Sequence, residues 1–272
     1  MTLSEPSVVK TIVFPGQEKK MDSKILVKLK GEISLLVPNI IGKMTTYVCL
    51  EQEDWFENEI KFLRKLISPG MKVVDIGANY GVYTFNLAKT IGNEGQVWAF
   101  EPDKKTCLFL NESKEINGFS NVSIENYAIT NYSGEAVLSI SDNSEVNSLT
   151  YDIKIHSGSE KVSVISLDDC IKKYGWQDID FIKMDAEGEE VNILKGAKNF
   201  LLQMSPLIMF EYGNTNYEQM ELELIKYGFE VYQLLPGLDI LIPSDKNSRD
   251  SSTLNLFCCK QDTAEKLEKQ GF

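Results

Sequence analysis

Val73-Val74-Asp75-Ile76-Gly77-Ala78-Asn79-Tyr80-Gly81 reads as a short β-branched strand, a glycine turn and the opening of a helix. Gly77 permits a tight turn, and Gly81 removes a side chain where backbone would approach a ligand. The helix behind the turn presents unpaired N–H groups and the positive end of its dipole. Ligands of open α/β sheets lie beyond the carboxyl ends of the strands, which is where this turn falls. Its spacing separates ligand classes. A dinucleotide turn reads G-x-G-x-x-G, whereas position 79 here is Asn, and the G-K-[ST] of a phosphate loop is absent. Asp75 would set a carboxylate beside the ligand, which repels a pyrophosphate and suits a cationic amino-acid group.

Outward from this turn the pattern alternates. Ser68-Pro69-Gly70 ends an amphipathic helix expected over 53–67, where Phe56, Ile60, Leu63, Leu66 and Ile67 recur at helical spacing. Strands are expected at 72–76, 96–100, 122–125, 179–184, 207–210, 230–235 and 254–259. Helices are expected after the glycine turn and at 104–117, 167–174, 189–202 and 217–227, with a β-rich excursion over 135–166. This alternation predicts a mostly parallel, doubly wound sheet with helices on both faces. Ahead of it, Ile25-Leu26-Val27 and Ile33-Ser34-Leu35-Leu36-Val37 read as strands of a small β-rich element. The chain thus divides into 1–52, an element that could contact the acceptor or a second copy; 53–260, the main domain; and 261–272, a C-terminal tail.

The second strand ends in Trp98-Ala99-Phe100-Glu101-Pro102. A carboxylate there can accept hydrogen bonds from both hydroxyls of a ribose. An adenosine ligand with a cationic amino-acid tail fits both Asp75 and Glu101, and that describes S-adenosylmethionine.

Composition narrows the function classes. The 272 residues carry 28 basic and 40 acidic side chains, a formal net charge of −12, and one histidine. No basic face is built, which argues against a general nucleic-acid binder. A single histidine excludes mechanisms needing two imidazoles, including most His-rich zinc enzymes. The cysteines, Cys49, Cys107, Cys170, Cys258 and Cys259, are odd in number without a C-x-x-C, and read as buried core thiols. No signal-like or membrane-spanning apolar segment is found, so the cytoplasm is the expected compartment. Asn111, Asn121 and Asn131 begin N-x-S triplets that are read as coincidental.

A second acidic constellation is Asp180-Phe181-Ile182-Lys183-Met184-Asp185-Ala186-Glu187-Gly188-Glu189-Glu190. Asp185 falls at a strand's carboxyl end and Gly188 permits a turn before the next helix. Glu189 and Glu190 are accounted for as helix-dipole partners. Asp185 and Glu187 precede the helix and face the rim that Gly77 faces. Taken in order, Asp75-Ile76-Gly77-Ala78-Asn79 with Gly81 and Thr84, Glu101-Pro102, Asn126-Tyr127-Ala128, Leu167-Asp168-Asp169 and Asp185-Ala186-Glu187-Gly188-Glu189-Glu190 resemble the FkbM family of methyltransferases. The resemblance runs from about Glu57 to Glu211. It implies a class I, Rossmann-like α/β fold with a seven-stranded sheet of order 3-2-1-4-5-7-6, the last strand antiparallel. It implies cofactor contacts at Asp75, Gly77, Ala78, Asn79, Gly81, Thr84, Glu101, Pro102 and Asp185, adenine near Asn126 and Ala128, and a catalytic rim at Asp185 and Glu187. O-methylation of a hydroxyl on a sugar, glycoside or other natural product is the implied reaction.

A hydroxyl nucleophile must lose its proton during attack. Asp185 and Glu187 are the first candidates for base or acceptor-orienting groups, Glu211 the third, and His156, within a polar loop, the fourth. Asp185, Glu187 and Glu211 could also offer oxygens to Mg²⁺, a minority reading, and no metal site is assigned. Trp55, Phe56, Tyr80, Tyr83 and Tyr212 are candidate acceptor-platform aromatics. Competing functions are a non-catalytic S-adenosylmethionine scaffold or sensor, and transfer to a nitrogen or carboxylate. The expected partner is a small-molecule or glycan hydroxyl acceptor, not nucleic acid, with self-association left open.

Overall fold

The strand before the glycine turn has parallel neighbours on both sides. The computed structural model describes residues 23–140, 147–150, 158–212, 217–245 and 253–272. Within them an N-terminal antiparallel hairpin, β1 (Lys24–Leu29) and β2 (Ile33–Pro38), is followed by helices α1 (Met44–Gln52) and α2 (Asn58–Leu66). Then come β3 (Lys72–Ile76), α3 (Val82–Ile91), β4 (Gln96–Phe100), α4 (Lys104–Asn117) and β5 (Val122–Glu125). A separate four-stranded sheet is made by β6 (Ala128–Ile129), β7 (Gly134–Ser139), β8 (Ser148–Thr150) and β9 (Ser159–Ile165). The chain continues with α5 (Leu167–Tyr174), β10 (Phe181–Met184), α6 (Glu190–Lys195), α7 (Lys198–Gln203) and β11 (Leu207–Glu211). It ends with α8 (Tyr217–Ile225), β12 (Phe229–Leu235), β13 (Ile240–Pro243), β14 (Asn255–Lys260) and α9 (Gln261–Gln270).

The main sheet runs β13-β12-β14-β11-β10-β3-β4-β5. It has eight strands where seven were expected, because the chain after β12 turns back as the hairpin partner β13. β3, β4, β5, β10 and β11 are mutually parallel, and β14 enters antiparallel between β11 and β12. Strands covered on both faces must be apolar on both, and Val73 and Val74 of β3 are each fully buried on opposite faces. One core joins Val73, Val97 and Phe181 to α2, α3, α4 and the N-terminal hairpin. The other joins Val74, Ile76 and Ile182 to α5, α6, α7 and α8.

The hairpin shares the first of these cores. Val27, Leu29, Ile33, Leu35 and Val37 cluster with Phe85 and Leu110. Hydrogen bonds fix it on α4: the Leu36 N–H donates to Ser113 Oγ at 2.9 Å, and Ser34 and Asn117 bond reciprocally at 2.8 and 2.6 Å.

Three local readings change. The helix expected over 53–67 begins only at Asn58, as α2, because Glu53 takes a left-handed φ of 52° and Asp54 turns inward to Arg64 (2.6 and 2.9 Å) and the Trp55 N–H (2.9 Å); α1 ahead of it falls within the stretch read as β-rich. The helix expected over 189–202 breaks at Gly196, where an added Cβ would lie 2.5 Å from Thr130 O, so chain crossing there favours glycine. The expected tail is the helix α9, and Phe272 beyond it packs edge-on against Phe62 at 5.7 Å. All five cysteines are free and buried, as read. The Asn121 side chain is itself buried, donating to Ala88 O and Gly92 O at 2.8 Å each, which keeps that triplet from the surface. Among the described residues, no helix is long and apolar enough to cross a membrane.

Candidate active site

β3 and β10 end side by side, and the turn after β3 is held at their rim. Gly77 and Ala78 N–H groups both donate to Phe100 O at 3.0 Å, and the Asp185 N–H donates to Ile76 O at 3.1 Å. Gly77 has φ 76°, and a Cβ there would lie 1.8 Å from Asp185 O. Glycine is therefore required by the neighbouring strand end as much as by the turn. Gly81 differs from expectation. Its added Cβ would meet Phe85 and Leu110 carbons at 2.4–2.7 Å, so it faces core packing beneath the turn and does not line the cavity.

Asp75 is also displaced from its expected place. Parallel pairing puts Lys183 opposite it in register, both on one face of the sheet. Lys183 Nζ stands 3.9 Å from Asp75 Oδ1, donates to Asp185 Oδ2 at 3.0 Å and to Gly77 O at 3.3 Å. Thr84 Oγ1 donates to Asp75 Oδ2 at 2.6 Å. Asp75 and Thr84 are thus fully buried behind the cavity, and Lys183 is the one cation among the described residues that line it. Burial opposes the Lys183 charge, but Asp185 and then Asp75 outweigh it and hold its pKa above the ordinary lysine value. Burial raises that of Asp75, with Lys183 and Thr84 opposing.

Glu101 forms the next part of the floor, at the end of β4. Its Oε2 accepts from the Asn79 N–H and its Oε1 from the Asp103 N–H, each at 2.9 Å. Burial pushes its pKa to about 7, against those two N–H bonds. Each oxygen retains accepting capacity toward the cavity. Asn79, at φ 48°, keeps a buried Oδ1 without a partner among the described residues. Asn126 does not line the cavity: its Nδ2 donates to Glu101 O (2.9 Å) and Pro102 O (2.8 Å), clamping the loop that carries Glu101. Its neighbours Tyr127 and Ala128 form the wall instead.

Asp185, Glu187 and Glu211 meet at the opposite rim. Glu187 is raised to about 7 by burial first, then by Asp185, Glu211 and Glu190. Glu211 is raised to about 7 by burial, Asp185 and Glu190, with Lys183 opposing. Sequence reading missed Glu57, which joins them: its Oε2 accepts from the Tyr83 hydroxyl and from Asn255 Nδ2, the latter at 3.2 Å. Trp55, Phe56, Tyr80 and Tyr83 line the cavity; Tyr212 does not and packs edge-on against Tyr217 at 5.1 Å. His156 lies outside the described residues. No group of three or more metal-ligating side chains is placed together among the described residues.

The cavity has a volume of about 320 Å³. Its chemistry fits S-adenosylmethionine: an acidic acceptor and the orphaned Asn79 Oδ1 for a sugar, an apolar wall with Tyr127 and Ile129 for a base, and the Lys183–Asp185 pair for an amino-acid tail. Fold and site define an α/β methyltransferase that uses this cofactor. The chain belongs to the FkbM methyltransferase family, whose domain model matches residues 75–235. Similar solved structures include three of low sequence identity. A Thermotoga maritima protein titled an S-adenosylmethionine-dependent O-methyltransferase is 12% identical (TM-score 0.42; 87% of this chain, 92% of that one). A Streptococcus mutans protein in complex with S-adenosylhomocysteine is 14% identical (TM-score 0.43; 74% and 95%). Trm5b from Pyrococcus abyssi is 15% identical (TM-score 0.44; 87% and 55%). Comparison with curated protein sequences gives no significant match.

Glu101→Ala is expected to weaken S-adenosylhomocysteine binding about 100-fold, and Glu101→Gln about tenfold, since charge-assisted acceptors are the stronger ones. Calorimetry measures both, and unchanged affinity in Glu101→Ala would remove Glu101 from the cofactor site.

Proposed function

We propose that the protein is an O-methyltransferase that transfers the cofactor's methyl group to a hydroxyl of a sugar, glycoside or other natural product. The observation that carries this reading is the pair Glu187 and Glu211, carboxyls with pKa near 7 lining the same cavity as the expected cofactor contacts. S-adenosylmethionine supplies an electrophilic methyl group, so the chain's task is to align the nucleophile and take its proton. Glu187 or Glu211 accepts that proton. Asp185, ion-paired to Lys183, orients the site. Cofactor contacts are assigned to Gly77, Ala78, Asn79, Glu101, Pro102, Ala128 and Asp185, while Asp75, Gly81, Thr84 and Asn126 support them from behind. His156 remains a candidate base from the sequence alone.

The 3-2-1-4-5-7-6 order is supported by the strand succession once β13 is set aside. The element within 1–52 is assigned to the acceptor wall, in keeping with Met44 and Thr45 at the cavity. A net charge of −12 and a carboxylate-lined rim favour a neutral small-molecule or glycan acceptor over a nucleic acid. Five free thiols favour the cytoplasm.

The test is a panel of polyols, glycosides and hydroxylated polyketides, scored by S-adenosylhomocysteine release and by the carbon-13 signal of the transferred methyl. A methoxy signal is the expected product. N-methyl or methyl-ester products, or binding of cofactor without turnover across the panel, would overturn the reading.

A further inference from the structure

The expected partner of the cofactor's cationic tail, Asp75, is enclosed behind Lys183, so a different group must meet that tail. What the cavity presents there is an ammonium and a carboxylate side by side, Lys183 Nζ and Asp185 Oδ2 at 3.0 Å. Lys183 is 5% exposed, and its nitrogen is fixed by Gly77 O at 3.3 Å as well. Asp185 is partly exposed, and its hydrogen bond to Lys183 uses one oxygen, Oδ2. The second oxygen, Oδ1, has no hydrogen bond among the described residues, and Asp185 lines the cavity.

β10, β3 and β4 are consecutive in the sheet. Glu101 at the end of β4 therefore marks one side of the Gly77 turn, and the Lys183–Asp185 pair at the end of β10 marks the other. A sugar held at Glu101 leaves the rest of a long ligand to cross the turn toward β10. The tail of S-adenosylmethionine carries one ammonium and one carboxylate on a single carbon, the same two charges as the protein pair.

We propose that Lys183 and Asp185 form a zwitterion receptor in which Lys183 Nζ binds the cofactor's α-carboxylate and Asp185 Oδ1 binds its α-ammonium. The inference rests on the cofactor and not on the identity of the acceptor. It accounts for a lysine in an otherwise apolar strand: a cation is needed at a spot where Asp75 behind it keeps the charge in place. The competing role for Lys183 is purely structural, neutralising the buried Asp75 and the partly exposed Asp185 without touching ligand.

Ligand truncation separates the two roles. 5′-Methylthioadenosine lacks both tail charges, and decarboxylated S-adenosylmethionine lacks only the carboxylate. Calorimetry at pH 7.5 is expected to show Lys183→Met weakening S-adenosylhomocysteine by about 10- to 100-fold, with 5′-methylthioadenosine changed less than about threefold. Equal losses for both ligands, or no loss for either, would overturn the proposal. Because Lys183→Met leaves Asp75 without its counter-ion, the double variant Lys183→Met/Asp75→Asn is measured alongside. Wild-type protein supplies a test that no folding defect can blur: it must bind decarboxylated S-adenosylmethionine at least about tenfold more weakly than S-adenosylmethionine. Equal binding refutes the carboxylate contact. Wild-type protein that binds none of these adenosyl ligands would instead refute the cofactor assignment itself.

Discussion

Gly77→Ala should melt about 10 °C or more below the wild type and bind no measurable S-adenosylhomocysteine. The methyl group would sit 1.8 Å from Asp185 O, and a Cβ essentially never lies within 3.0 Å of such an atom. The ends of β3 and β10 would have to separate by roughly 1 Å or more, in an interior too well packed to yield cheaply. Separation breaks the Asp185 N–H bond to Ile76 O and pulls Gly77 O from Lys183. The left-handed φ of 76° adds about 1–2 kcal/mol for any residue with a Cβ. Gly188→Ala is the matched control. Its φ is 97° but nothing lies within 4 Å of the added carbon, so only the local strain of about 1–2 kcal/mol applies and ligand binding survives. A Gly77→Ala protein as stable and as competent as Gly188→Ala would show that the strand ends do not meet as described.

Methyl transfer to a hydroxyl should fall about tenfold per pH unit below pH 7, because the base must be ionised before it can take a proton. Both rim carboxyls titrate near 7, each raised first by burial and then by its acidic neighbours. Replacing the acting base by Gln should cost about 10²–10⁴ in kcat and abolish that acid limb, while replacing the other should shift the limb downward by removing a neighbouring negative charge. A pH profile unchanged in both Glu187→Gln and Glu211→Gln would move the role elsewhere, to His156 among the sequence candidates. The same raised values bear on stability with the opposite sense. A carboxyl whose pKa is higher folded than unfolded binds its proton more tightly in the folded state. The stabilisation is full below about pH 4.5 and lost as pH rises through about 7. Glu101, the most buried of the three, contributes roughly 1–3 kcal/mol to this trend. Ligand-free protein should therefore melt higher at pH 5.5 than at pH 8, and thermal scans at the two values check it. The enzyme would be most stable where it is least active.

The parts of the site that could be read from the chain are those where punctuation and chemistry coincide. Gly77, Glu101 and Asp185 each follow an apolar strand at its carboxyl end, so their common rim follows from the parallel sheet alone. Lys183 was legible in principle. Val73-Val74-Asp75-Ile76 and Phe181-Ile182-Lys183-Met184 both carry a charge at the third place, and in-register pairing sets those charges opposite. Reading the strands singly hides that. Glu57 left no trace, because it reaches the cavity only through α2, Tyr83 and the distant Asn255. The late start of α2 was hidden for a related reason: the apolar period takes in Phe56, but the chain before Asn58 is held instead by a side-chain network around Asp54 and Arg64. Asn126 was seen, but its amide is spent on loop carbonyls, a choice that spacing cannot reveal.

The place of β14 sets an order of events. Its residues Leu256, Phe257, Cys258 and Cys259 are nearly inaccessible to solvent, seated between β11 and β12. They also leave a ribosome after both of those strands. Until they arrive, two strands of the sheet each carry a row of unpaired backbone groups facing a gap the width of one strand, the kind of exposed edge that recruits other chains. A nascent chain of this protein is consequently vulnerable until β14 has emerged, and that strand works as a keystone rather than as an appendage.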